Sequence, residues 1–117
     1  MSIIFNLKTI NFMLGIFKKL FSSAPSVDFK ELVSNGAIIL DVRSPGEFAS
    51  GHIKGAINIP VDQISKNLGK LKDKNKTIIT CCASGMRSAS ARGVLKSNGY
   101  VDVHNGGGWS SLQSKII

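Results

Sequence analysis

Apolar and β-branched residues of this chain gather in short runs, and the stretches between them carry apolar positions at helical spacing. Ile38–Val42, Ala56–Ile59, Ile78–Cys82 and Val101–Val103 read as strands, with Ile78–Cys82 central. Asp28–Asn35 reads as a helix begun by an aspartate cap, Pro45–Ala49 as a helical turn and Val61–Leu71 as a helix. Arg87–Ser97 reads as a helix ended by Asn98-Gly99, and Trp109–Ile117 starts a closing helix. Strands alternating with helices predict an α/β domain with a parallel sheet. Internal repeats and low-complexity segments are not seen.

The first residues follow another pattern. Ile3, Ile4, Leu7, Ile10, Leu14, Phe17 and Phe21 recur at helical spacing, diluted by Asn6, Lys8, Asn11, Lys18 and Lys19. This predicts an amphipathic extension over residues 1–25, ahead of a domain at 26–117. The run is too interrupted for a membrane span, which needs about 20 mostly apolar residues. A signal peptide fits poorly, because Lys18-Lys19 follow the apolar part and Pro25 sits where cleavage falls. Three readings stand: a helix packed on the domain, a translation start at Met13, or peripheral contact with an anionic membrane through residues 3–21.

The chemistry concentrates in Cys82-Ala83-Ser84-Gly85-Met86-Arg87-Ser88. Cys82 ends a strand, and the small residues Ala83, Ser84 and Gly85 allow a tight turn into the next helix. Such a turn points backbone N–H groups inward as an anion nest, to which the helix adds the positive end of its dipole. An environment of this kind lowers a cysteine pKa from about 8.5 toward roughly 3.5–7.5, making it a thiolate nucleophile. Arg87 brings a fixed charge and a fork of donors suited to an oxyanion. An isolated buried cysteine is ordinarily a small hydrophobe. Here the spacing, the small-residue loop and the strand-to-helix context reverse that preference.

From about Ser26 to Trp109 the chain resembles the rhodanese-like domain family, the single-domain sulfurtransferases among them. Residues 82–88 resemble the family's active-site loop, C-x-S-G-x-R-S. The segment from Asp41-Val42-Arg43 through Glu47-Phe48, Gly51-His52-Ile53 and Gly55-Ala56 to Pro60 resembles its second signature. Gly106-Gly107-Gly108-Trp109 is similar to its terminal region, with one residue of spacing changed. The resemblance implies a small parallel sheet of about five strands flanked by helices on both faces. It implies Cys82 as the catalytic residue, with Ala83, Ser84, Gly85, Met86, Arg87 and Ser88 binding substrate. Thiosulfate or a persulfide is the implied anionic donor. Cyanide or a thiol, a protein thiol included, is the implied acceptor, and sulfur passes through a Cys82 persulfide without metal or organic cofactor. Only four residues separate Cys82 from Arg87, a loop that in this family fits sulfur; a loop longer by one residue fits phosphate or arsenate. Phosphatase or arsenate reductase activity is therefore the alternative, and a non-catalytic sulfur-carrier or partner-binding module is a third reading.

The other motif residues read as support. Asp41 and Arg43 close a strand, and Arg43 suits a structural ion pair with Asp41 or Glu47 more than an anion site. His52 suits hydrogen bonding that fixes its loop, because an ionised cysteine needs no base. His104 reads as an exposed strand-end residue and Trp109 as packing. Cys81 points opposite to Cys82 by strand alternation and reads as core, the sharper idea being a resolving thiol.

Composition narrows the setting. The chain has 117 residues, 43% of them hydrophobic, enough for one modest core. Its two cysteines are adjacent, which excludes a disulfide scaffold and suits a reducing compartment such as the cytoplasm. No metal-ligand spacing is present. The formal net charge is +8, with a basic stretch at Lys66, Lys70, Lys72, Lys74 and Lys76 that reads as a solvated face or a steering surface for anions. Aromatic residues do not interleave these lysines, so nucleic acid is not an expected partner, and a monomer is expected.

Overall fold

A computed structural model describes residues 26–117. The expectations for the extension at 1–25 lie outside these residues. The first helix, α1 (Phe29–Ser34), is begun by the Asp28 carboxylate, which accepts from the Glu31 amide at 3.0 Å. Strand β1 (Ile38–Asp41) follows, then the short helix α2 (Pro45–Ser50) and strand β2 (Ile57–Asn58). Strand β3 (Ile78–Cys82) leads into α3 (Met86–Ser97), and β4 (Val103–Gly108) leads into α4 (Trp109–Ile116).

All pairings are parallel, in the order β2-β1-β3-β4, so the expected parallel sheet is present with four strands among the described residues where the resemblance implies about five. β3 is hydrogen-bonded on both edges and every residue in it is buried, the environment its β-branched run suits. Side-chain alternation splits the core into two layers. Leu40, Val42, Ile78 and Cys82 pack with Ala91 and Leu95 of α3 on one face. Ile39, Ile79 and Cys81 pack with Ile53 and Leu112 of α4 on the other, so the adjacent cysteines enter different layers. Helices thus cover both faces, as expected.

Two elements depart from the sequence reading. Val61–Leu71 forms two 3-10 turns, Val61–Lys66 and Leu68–Lys70, in place of one α-helix. Its core residues Val61 and Ile64, then Leu68 and Leu71, are each three apart, the repeat of a 3-10 turn. The break falls at Asn67, whose side chain closes onto the Gln63 carbonyl at 2.8 Å. The last strand begins at Val103 and runs through three glycines, where the sequence pattern places it at Val101–Val103. Glycine weakens a strand by propensity, but a Cβ at Gly106 would lie 2.8 Å from Ile79 Cγ2 and from the Thr80 carbonyl. Close contact with β3 and α4 leaves no room for a side chain there. Thr80 pairs with Asn105 but Cys82 pairs with Gly108, so β4 carries one extra residue, a bulge with Gly107 at φ +78° beside the end of β3.

Candidate active site

β3 delivers Cys82 to the carboxyl end of the sheet, and Ala83-Ser84-Gly85 turns the chain into α3. Gly85 stands at φ +104°, a conformation costly for any residue with a Cβ, and begins the helix. Its amide donates to Cys82 Sγ at 3.0 Å, and the Ser88 amide does so at 3.4 Å. The Ser88 hydroxyl lies 3.4 Å from the sulfur. Cys82 is 1% exposed, and burial alone would raise its pKa. The Ser88 hydroxyl and the amides of Ser88, Gly85 and Ser84 outweigh burial and hold the thiol below its ordinary range.

Ser88 is itself anchored. Its hydroxyl lies 2.6 Å from Asn105 Oδ1 and 3.0 Å from the Gly85 carbonyl. Asn105 Oδ1 also accepts from the Gly107 amide at 2.9 Å, and Asn105 Nδ2 donates to the Gly85 carbonyl at 3.3 Å. Asn105 therefore joins the β4 bulge to the cysteine loop. Sequence reasoning missed it, although an asparagine ahead of a glycine run is a turn signal.

Arg87 does not point an open fork into solvent. Its Nη1 and Nη2 donate to Glu47 Oε1 and Oε2 at 2.7 and 3.0 Å. Ala83, Ser84 and Met86 are exposed, Met86 at 82%, so the loop's rim faces solvent.

The supporting residues form a second centre behind the loop. Asp41 and Arg43 are buried, and the Arg43 Nε and Nη2 donate to the Asp41 carboxylate at 2.7–3.1 Å. The same guanidinium donates to the Gly51 carbonyl at 2.7 Å and the Glu47 carbonyl at 3.3 Å, and lies 4.8 Å from the Trp109 ring centroid. Of the two partners left open by the sequence, Asp41 supplies the carboxylate and Glu47 only its backbone. Each guanidinium nitrogen of Arg43 thus bonds a group of the protein itself. His52 is exposed, bonds through Nδ1 to the Phe48 carbonyl at 2.7 Å and stacks on the Phe48 ring, which fixes its loop. His104 is half-buried inside β4, 2.8 Å from Asp102, where the sequence suggested an exposed strand end. Cys81 is core; burial first, then the charge of Asp41, pushes its thiol up to about 12.

The last three lysines of the basic stretch do not rim the cysteine. Lys72, Lys74 and Lys76 precede β3 and stand at the opposite end of it from Cys82. A cavity of about 240 Å³, lined by Leu32, Gly36, Lys76 and Thr77 among others, opens at that far end too. No group of residues able to hold a metal ion occurs among the described residues, and no helix among them is long and apolar enough to cross a membrane.

Alkylation reports the thiolate directly. The midpoint of the iodoacetamide rate against pH is expected below the ordinary thiol value of about 8.5. Ser88→Ala removes the hydroxyl beside the sulfur, so burial regains weight and the midpoint moves up. Cys81 stays silent over that range. An unmoved midpoint in Ser88→Ala would show that the hydroxyl does not stabilise the thiolate.

Together these features define a parallel α/β domain built around a buried cysteine whose sulfur accepts from the amides of a strand-to-helix loop. The chain belongs to the rhodanese-like domain family, whose pattern it matches over residues 26–115. It is similar to the thiosulfate sulfurtransferase PspE of Escherichia coli, 37% identical over 74 residues that cover 62% of this chain and 71% of that protein. A solved E. coli rhodanese with anions superposes with a TM-score of 0.61 at 34% identity, covering 65% of this chain and 91% of that one. The tRNA uridine(34) hydroxylase of Buchnera aphidicola is 32% identical over 78 residues, 62% of this chain but only 25% of that relative.

Proposed function

We propose that this chain is a sulfurtransferase that carries sulfane sulfur on Cys82, with residues 26–117 as the catalytic unit. The observation that supports this reading most is the pair of backbone N–H groups, from Gly85 and Ser88, aimed at the buried sulfur. They stabilise a thiolate without any base, and a persulfide anion formed there meets the same donors.

The first step is attack of the Cys82 thiolate on the outer sulfur of thiosulfate. The new S–S bond forms as the old one breaks, and the bonding pair leaves on sulfite. One negative charge stays on the Cys82 persulfide and two leave with sulfite, which balances the three that entered. In the second step cyanide or an acceptor thiolate attacks the outer sulfur. Thiocyanate or a new persulfide departs, and the Cys82 thiolate returns. A persulfide donor enters the first step in the same way, with a thiolate as the leaving group. Four residues separate Cys82 from Arg87, and the resemblance to the family implies that a loop of this length suits sulfur better than phosphate.

Intact mass after brief thiosulfate treatment tests the first step. A gain of about 32 Da, one sulfur, that cyanide then removes is the expected result. An unchanged mass would reject thiosulfate as the donor and turn attention to a partner-loaded carrier.

A further inference from the structure

Glu47 is bound to Arg87, the last residue but one of the cysteine loop, and has no part in the sulfur transfer as written. Its carboxylate forks onto Arg87 through two parallel bonds of 2.7 and 3.0 Å, the contact that a sulfonyl or phosphoryl oxyanion makes with a guanidinium. The residue is also held from behind. The Ser44 amide and hydroxyl both lie 3.1 Å from Glu47 Oε1, and the Glu47 amide donates back to Ser44 Oγ at 3.3 Å, a capping box on α2. The carboxylate is thus preset by its own helix. Arg87, first, and then Ser44 lower its pKa to about 2, so it is negative at any working pH. Both side chains are 38% exposed, at the edge of the loop.

Arg87 therefore presents an occupied fork. An anionic donor reaching Cys82 meets the Glu47 charge next to the Arg87 charge, and each further negative charge it carries raises the repulsion. We infer that Glu47 is a specificity-determining residue that disfavours doubly charged sulfur donors relative to singly charged ones. The inference rests on the sulfurtransferase reading and deepens it. It assigns the natural donor to the class of organic sulfane compounds bearing at most one charge near the transferred sulfur.

Thiosulfate and methanethiosulfonate make a matched pair of probes, since both carry sulfur on a sulfonyl group and they differ by one charge. With methanethiosulfonate the thiolate takes the outer sulfur and methanesulfinate leaves with the bonding pair, so the transferred atom is the same. Glu47→Gln keeps the capping box, because glutamine serves at that position, and removes only the charge. The ratio of KM for thiosulfate to KM for methanethiosulfonate is expected to fall about threefold in the variant, the change lying in KM and not in kcat. A loop merely distorted by the substitution would not favour one donor by its charge. A ratio that stays the same or rises would overturn the inference, a rise meaning that Glu47 instead orients Arg87 for the dianion.

Sulfate and methanesulfonate, neither of which gives up sulfur, supply a second readout as protectants of Cys82 against iodoacetamide. Glu47→Gln is expected to strengthen protection by sulfate about threefold more than protection by methanesulfonate. If that occurs while neither donor loads sulfur onto Cys82, the sulfurtransferase reading fails and the charge filter survives. If sulfur loads normally while neither ratio moves, the filter alone fails.

Discussion

Replacing Cys82 with serine is expected to abolish thiocyanate formation from thiosulfate and cyanide, with kcat/KM lowered by at least about 10³-fold. The donors aimed at Cys82 Sγ, the Gly85 amide at 3.0 Å and the Ser88 amide at 3.4 Å, remain in the variant. A serine hydroxyl fills nearly the same space and accepts the same bonds, so the domain still folds. It stays protonated at neutral pH, however, and has no sulfur chain to extend. Cys81 cannot substitute, because it enters the opposite layer of the core and its thiol is pushed up to about 12 by burial. Turnover retained in Cys82→Ser would move the chemistry elsewhere and remove the basis of the proposed function.

Asp41→Asn is expected to cost the most stability of any conservative substitution near the site. Asp41 is fully buried and its carboxylate takes three bonds from the Arg43 side chain and one from the Arg43 amide. Removing one partner of such a pair leaves a buried charge uncompensated, at a cost of about 3–5 kcal/mol. For a domain near this size that lowers the melting temperature by more than about 10 °C. The damage spreads toward the site. Arg43 also holds the Gly51 and Glu47 carbonyls, and Asn58 Nδ2 bonds the Asp41 and Arg43 carbonyls at 2.9 and 3.0 Å, tying β2 and α2 to the end of β1. Thermal unfolding followed by circular dichroism measures this, and an unchanged melting temperature would mean that the pair contributes no net stability.

Elements whose local signals agree were legible in the sequence. Asp28 and Asn35 bracket α1 as cap residues should, β3 is an unbroken buried run, and α3 ends at Asn98 where Asn98-Gly99 indicated. The 3-10 segment was not legible as such, since apolar residues three apart also fit a loosely read α-helix. β4 escaped because its glycines weaken a strand locally, and only contact with Ile79, Thr80 and Leu112 explains them. In the site, the loop around Cys82 followed from small residues between a strand and a helix. The contacts that complete it are long-range: Arg87 meets Glu47 across 40 positions and Ser88 meets Asn105 across 17. Neither pairing leaves a periodic trace. The partner of Arg43 was undecided for the same kind of reason, because choosing between two nearby carboxylates needs the direction in which a strand end points.

The position of β3 in the sheet has a consequence for how the molecule opens. Its amides are bonded to neighbours on both edges and buried, so they are expected to be the last in the domain to exchange with solvent deuterium. Cys82 rides on that most protected backbone. Glu47, by contrast, sits on α2, a six-residue helix with no buried residue that is held to the end of β1 through the Arg43 side chain. The nucleophile and the charge beside Arg87 therefore rest on backbone of unequal burial, and amide exchange is expected to begin on α2 before it reaches β3.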